Sequence, residues 1–176
     1  MTTGEKQGHA IVGILMGSDT DLPVMSEVAK TLEKFGIGYE MEVVSAHRTP
    51  ARAHEYATSA LGRGIKILIV GAGAAAHLGG VIAANTTLPV IGVPLATSAL
   101  NGLDALLATV QMPGGIPVAT MAIDKAGAMN AAIFAAEILG LSDAKIAQRL
   151  VTHKEDLVRG VGEKNARLQE QLKQKK

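Results

Sequence analysis

Three unbroken apolar runs punctuate the chain, over residues 11–16, 67–70 and 90–93, and they stop at Gly17, Gly71 and Pro94. Such runs suit strands covered on both faces, as in a parallel sheet. Residues 41–44 form a shorter run ahead of Ser45, and residues 118–123 supply a fifth strand. The segments between them carry a different period. Leu22, Met25, Val28, Leu32 and Phe35 recur three and four residues apart and Gly36 stops them, which predicts a helix. Residues 50–62, 76–85, 102–110 and 125–139 read as further helices, several rich in alanine. Strand alternating with helix predicts an α/β fold: a three-layer α/β/α sandwich around a mostly parallel sheet of about five strands. Right-handed crossovers then gather the loops that follow the strands on one rim.

From Ser142 the pattern changes to a C-terminal helical extension. Ser142-Asp143 can cap it, and Ile146, Leu150 and Leu157 lie along one face. The expected organisation is a short flexible arm over residues 1–9, a single catalytic domain over 10–150 and a helical tail over 151–176. Residues 153–176 carry seven Lys or Arg against four Asp or Glu, so the tail is basic and the rest slightly acidic. The tail reads as a solvated helix or a subunit-crossing arm; RNA binding is the alternative.

Composition narrows the functions open to this fold. A net charge of +1 gives no bulk reason to bind nucleic acid or a membrane surface. No apolar run is long enough to span a bilayer. The chain has no cysteine, which excludes disulfides, thiolate catalysis and cysteine-held metals and is compatible with a cytoplasmic location. Five scattered histidines offer no zinc spacing, so no metal is expected. Aromatics make up only 2% of the residues, a poor supply of rings to stack on a flavin.

Chemistry gathers where the strands end. Ser45-Ala46-His47-Arg48-Thr49-Pro50 places a titratable imidazole and a fixed cation at the end of the second strand, where open α/β sheets bind ligands. Arg48 can fork onto a phosphate or carboxylate, and Pro50 sets the helix start after it. Gly17-Ser18-Asp19-Thr20-Asp21 follows the first strand, and its hydroxyls at a helix start form an anion site. Asp21 opposes a phosphate, so it suits neutral ribose hydroxyls; capping of free backbone donors is its plainer use. Gly71-Ala72-Gly73-Ala74-Ala75-Ala76-His77-Leu78 begins like a dinucleotide fingerprint, but the acidic residue expected about 20 positions later is missing. Its small side chains instead bring bare backbone against a flat ligand, with His77 able to share the cavity of His47. Residues 111–117, rich in Pro and Gly, form a shaped loop.

Taken in order, GSDTD, SAHRTP, GAGAAAHL and QMPGGIPV resemble the class I N5-carboxyaminoimidazole ribonucleotide mutases, the PurE family of purine biosynthesis, over residues 10–150. The resemblance implies a flavodoxin-like fold, a homo-octamer and an isomerase. That isomerase converts N5-carboxyaminoimidazole ribonucleotide (N5-CAIR) to 4-carboxy-5-aminoimidazole ribonucleotide (CAIR) without metal, ATP or organic cofactor. It assigns the general acid/base to His47 and the phosphate and ribose contacts to Ser18, Asp21, Ser45 and Arg48. The small-residue loop falls on Ala72, Gly73, His77 and Leu78. Ala74 and Gly79 depart from a common Gly-Gly pair and a common proline. A related class II group, carboxylases acting on carbon dioxide directly, lacks the AAHL pattern and has lysine in place of the arginine. Arg48 and His77 therefore favour the mutase over that alternative; a non-catalytic nucleotide-binding module on the same fold stays open.

Overall fold

The computed structural model describes residues 9–174; most of the arm expected over residues 1–9 lies outside the described residues. Five strands form one sheet in the order β2-β1-β3-β4-β5, and every neighbouring pair is parallel. They are β1 (Val12–Met16), β2 (Tyr39–Val43), β3 (Ile67–Gly73), β4 (Val90–Leu95) and β5 (Ala119–Thr120). The three central strands are the three apolar runs. Every residue of β1 and β4 is buried, as are the first five of β3. The edges behave differently: β2 is only partly buried and carries Glu40 and Glu42.

Helices α1 (Leu22–Lys34), α2 (Pro50–Ala60), α3 (Leu78–Ala83) and α4 (Leu103–Val110) connect the strands and α5 (Asp124–Gly140) follows the last one, giving the three-layer sandwich in βα alternation. Successive side chains of a strand point to opposite faces. Leu15, Leu68, Val70 and Val90 therefore turn to one side, where they pack with Ala53, Tyr56, Ala57 and Ala60 of α2 and Leu78 and Ile82 of α3. Short alanines on α2 let it lie close to the sheet.

Tyr56, 2% exposed, ties this layer to the sheet edge. Its hydroxyl donates to Glu40 Oε1 at 2.6 Å, Arg63 donates to the same oxygen, and the Arg63 guanidinium lies 4.5 Å over the Tyr56 ring.

Several element boundaries differ from the sequence reading, among them β2, which starts two residues earlier than the 41–44 run, and β4, which runs through Pro94 to Leu95. Strand β3 continues through Gly71 to Gly73, because parallel pairing with Pro94 and Leu95 of β4 carries it past the apolar run. Helix α3 begins at Leu78 rather than 76, since Ala74 to His77 form tight turns. Strand β5 shrinks to two residues because it pairs only with Ile91 and Gly92.

The chain divides into two compact units, Met1–Ala135 and Ala136–Lys176. The second, taken by itself, contains α6 (Ala144–Gln174), a continuous helix capped by Asp143, whose Oδ1 accepts from the Lys145 and Ile146 N–H groups. Ile146 is buried; Leu157, Val161, Leu168 and Leu172 are exposed. No helix among the described residues is long and apolar enough to cross a membrane.

Candidate functional site

Sheet order 2-1-3-4-5 reverses direction between β1 and β3, and ligands of such sheets bind at that switch point, beyond the carboxyl ends of the strands. An open cavity of about 200 Å³ lies there. Its walls are the segments after β1, β2, β3 and β4. Ser18, Asp21, Ser45, His47, Arg48, Ala72, Gly73 and Leu78 all line it. His77 does not line it directly but reaches it through His47.

After β1 the chain turns at Ser18, whose hydroxyl accepts the Thr20 N–H at 3.3 Å while Asp21 Oδ2 accepts the Ser18 N–H at 3.0 Å. Asp21 is thus a cap and a cavity residue together, only 6% exposed. Burial raises its carboxyl pKa above the ordinary value, against the lowering effect of backbone hydrogen bonds and of Arg48.

The turn after β2 is held by its own side chains. Thr49 Oγ1 accepts the Ser45 N–H at 3.0 Å and donates to the Ser45 carbonyl at 3.1 Å. Ser45 Oγ accepts from Arg48 N and Nε at 3.2 and 3.3 Å. Pro50 then opens α2 with its φ already helical. Arg48 reaches across to donate to the Gly17 carbonyl at 2.8 Å, joining the β1 and β2 loops. His47 leans the other way: its Nε2 lies 2.9 Å from His77 Nδ1, with the rings edge to face. One imidazole must donate and the other accept, so the contact holds a single proton between the rings.

At the end of β3, Gly73 and Ala75 line the cavity with little or no side chain, and Ala74 between them adopts a left-handed φ of 50°. Sequence reasoning missed five lining residues: Gly17, Thr20, Ala46, Ala75 and Thr97. The first four sit inside the recognised motifs. Thr97 lies beyond β4 in a stretch with no titratable group, and only the register of β4 on β3 brings it to Gly73. The 111–117 loop does not line the cavity. Among the described residues, no group of three or more His, Asp or Glu is placed to hold a metal ion.

A cation, several hydroxyls, an imidazole hydrogen-bonded to a second one and a set of small residues line one cavity, and together they can bind a small phosphorylated ligand and move a proton on it. The fold and cavity define a flavodoxin-like α/β protein with a rim site for an anionic, hydroxyl-bearing molecule. The chain belongs to the AIR carboxylase family, whose model matches residues 11–159. It is 56% identical over 170 residues to the N5-carboxyaminoimidazole ribonucleotide mutase of Pyrococcus horikoshii, covering 97% of this chain and 95% of that protein. The protein of the same name from Thermotoga maritima is 58% identical over 159 residues, covering 90% of this chain and 92% of the relative. Among solved structures it is similar to Treponema denticola PurE, with a TM-score of 0.80 at 30% identity, over 89% of this chain and 97% of that one.

Proposed function

We infer that this chain is an N5-carboxyaminoimidazole ribonucleotide mutase of purine biosynthesis, with His47 as its general acid and base. The observation that carries the reading is that His47 lines one cavity together with Arg48, Ser45 and Ser18 and with Ala72 and Gly73. The phosphate sits against Arg48, Ser45 and Ser18, and Asp21 takes the ribose hydroxyls. That binding is remote from the reaction and orients the base at the far end.

The substrate carries its carboxyl group on an exocyclic nitrogen, the product on a ring carbon. His47 as imidazolium gives its proton to that nitrogen as the N–C bond breaks. The bond's electron pair stays on nitrogen and carbon dioxide departs. The electron-rich ring carbon attacks carbon dioxide, forming the C–C bond and a carboxylate. Neutral His47 then removes the proton from that carbon and is restored. His77, sharing a hydrogen bond with His47, fixes the ring orientation. Between the two steps carbon dioxide must stay in place, which a close wall of small residues favours by leaving it little room.

The resemblance further supports a homo-octamer working in the cytoplasm. An apolar row on α4 fits an assembly: Leu103, Leu107 and Val110 are each about half exposed in the single chain, as is Leu100 just before the helix.

An ultraviolet assay on N5-CAIR without bicarbonate or ATP tests the function. Product formed above the spontaneous rate is expected; a bicarbonate requirement points to a carboxylase instead. His47→Asn should lower kcat by at least the roughly 10²-fold expected of acid–base catalysis while leaving product binding largely unchanged. Near-normal turnover by that variant removes His47 from the mechanism.

A further inference from the structure

We infer that Thr97 holds the carboxyl group of the substrate and that Asp124 is its positioning residue. The inference rests on the mutase reading above and extends it to the wall after β4.

The rim of the sheet gives the cavity two ends. Arg48 binds Gly17 across the β1 and β2 loops, whereas Gly73 and Thr97 stand at the ends of β3 and β4. Neighbouring strands are about 4.8 Å apart, so the β4 end lies roughly 10 Å from β1. A nucleotide anchored by its phosphate at Arg48 therefore presents its base, and the migrating carboxyl group, toward Gly73 and Thr97. Thr97 also occupies the space that a side chain at residue 73 would fill. A Cβ on Gly73 would collide with Thr97 Oγ1 and press on its Cβ and Cγ2. The two residues fit each other, and Thr97 brings one hydroxyl and one methyl to a wall whose other residues, Ala72, Gly73, Ala75 and Leu78, have no polar side chain. A hydroxyl can donate to a carboxylate oxygen, and the methyl keeps the same spot dry.

Two separate features hold the segment that carries Thr97. Strand β5 stops after pairing with Ile91 and Gly92, so it offers no partner to the end of β4. The Ala96 N–H donates instead to Asp124 Oδ1 at 2.8 Å. Asp124 does this from a left-handed φ of 59°, where aspartate is more at ease than most residues. On the other side Gly102, at φ 85°, packs against Ala96 so closely that a Cβ there would lie 3.2 Å from Ala96 Cα and 2.7 Å from Ile123. Ala96 is gripped between Gly102 and the Asp124 carboxylate, and Thr97 follows it directly.

The test is retention of label. N5-CAIR carrying a 13C carboxyl group is turned over in unlabelled bicarbonate, and the 13C content of CAIR is read with kcat, KM and the thermal midpoint. Wild type is expected to keep most of its label. Thr97→Val preserves shape but removes the hydroxyl. It should leak label into bicarbonate and lose roughly tenfold in kcat, as for one lost hydrogen bond to the reacting group, with KM within about twofold. Asp124→Gly tolerates the left-handed backbone but removes the acceptor, and should leak label in the same way. Asp124→Asn keeps an acceptor oxygen and should restore retention. Wild-type turnover with undiminished retention in both Thr97→Val and Asp124→Gly overturns the inference alone. A merely structural role predicts that result, with only the thermal midpoint lowered. A wild-type protein that makes no CAIR overturns the functional reading and this one with it.

Discussion

Ala74 shows how a single residue sets the temper of the site. It sits at φ 50°, in the segment where the family resemblance expects the second of two glycines. An L side chain there costs about 1–2 kcal/mol, and glycine would give back roughly 0.5–1 of that through its freer unfolded chain. Ala74→Gly should therefore raise stability by about 0.5–1 kcal/mol in urea unfolding, with kcat/KM within about threefold of wild type. A destabilised variant would mean that the alanine methyl packs where its backbone is strained. The motifs around Ala74 were legible because each joins chemistry-bearing residues to a turn signal. Thr97 was not: Ala96-Thr97-Ser98 reads like any loop, and nothing local says which residue of β4 will stand beside Gly73. Register is a property of two strands together, so no window on one of them contains it.

At the scale of elements, the parallel sheet and its order follow from apolar runs long enough to be buried on both faces, while the edges needed the structure. Strand β2 looked like a short apolar run, yet its two glutamates are what fasten α2 to it. Arg52 of α2 pairs with Glu42, and Tyr56 and Arg63 meet on Glu40. Burial pushes the Glu40 carboxyl up, but the hydrogen bonds from Tyr56 and Arg63 outweigh it and hold the group below its ordinary value of 4.5. A lowered folded-state pKa contributes stability that is present above the unfolded value and lost as pH falls through the folded one. Tyr56→Phe, which removes one donor from that carboxylate, should cost about 1.5 kcal/mol at pH 7. The gap should narrow at pH 3, where the carboxyl is protonated in more of the folded molecules. Urea titrations at the two pH values check the sign; a gap that widens in acid would show that Glu40 is not the group responsible. The phenol is affected in the opposite sense, raised by burial and by Glu40, so its neutral form is kept well into alkaline conditions.

For the whole molecule the question is which parts the reaction needs. Every cavity residue falls between Gly17 and Thr97, and the family model ends at residue 159. Truncation after Arg159 should therefore leave kcat/KM within about twofold; a larger loss would give the distal part of α6 a role in the site. The apolar row on α4 belongs to the same scale. Leu103→Glu with Leu107→Glu places charge on a face read as a subunit contact, and sedimentation velocity should show the assembly falling to smaller species while circular dichroism stays native. An unchanged sedimentation coefficient would move the interface elsewhere. The alternation of period along the chain made the layers legible. The exposed leucines of α4 did not stand out, because an apolar helix reads the same whether its partner is the sheet or another copy.

The hydrogen bond from Ala96 to Asp124 spans 28 residues. A ribosome releases the cavity walls in one continuous stretch, from Gly17 to Thr97, but the carboxylate that steadies the last of them arrives only with the first turn of α5. A nascent chain stalled in α4 thus already carries every lining residue, yet its Thr97 wall hangs loose. Completion of the site coincides with emergence of the helix that follows the sheet's final strand.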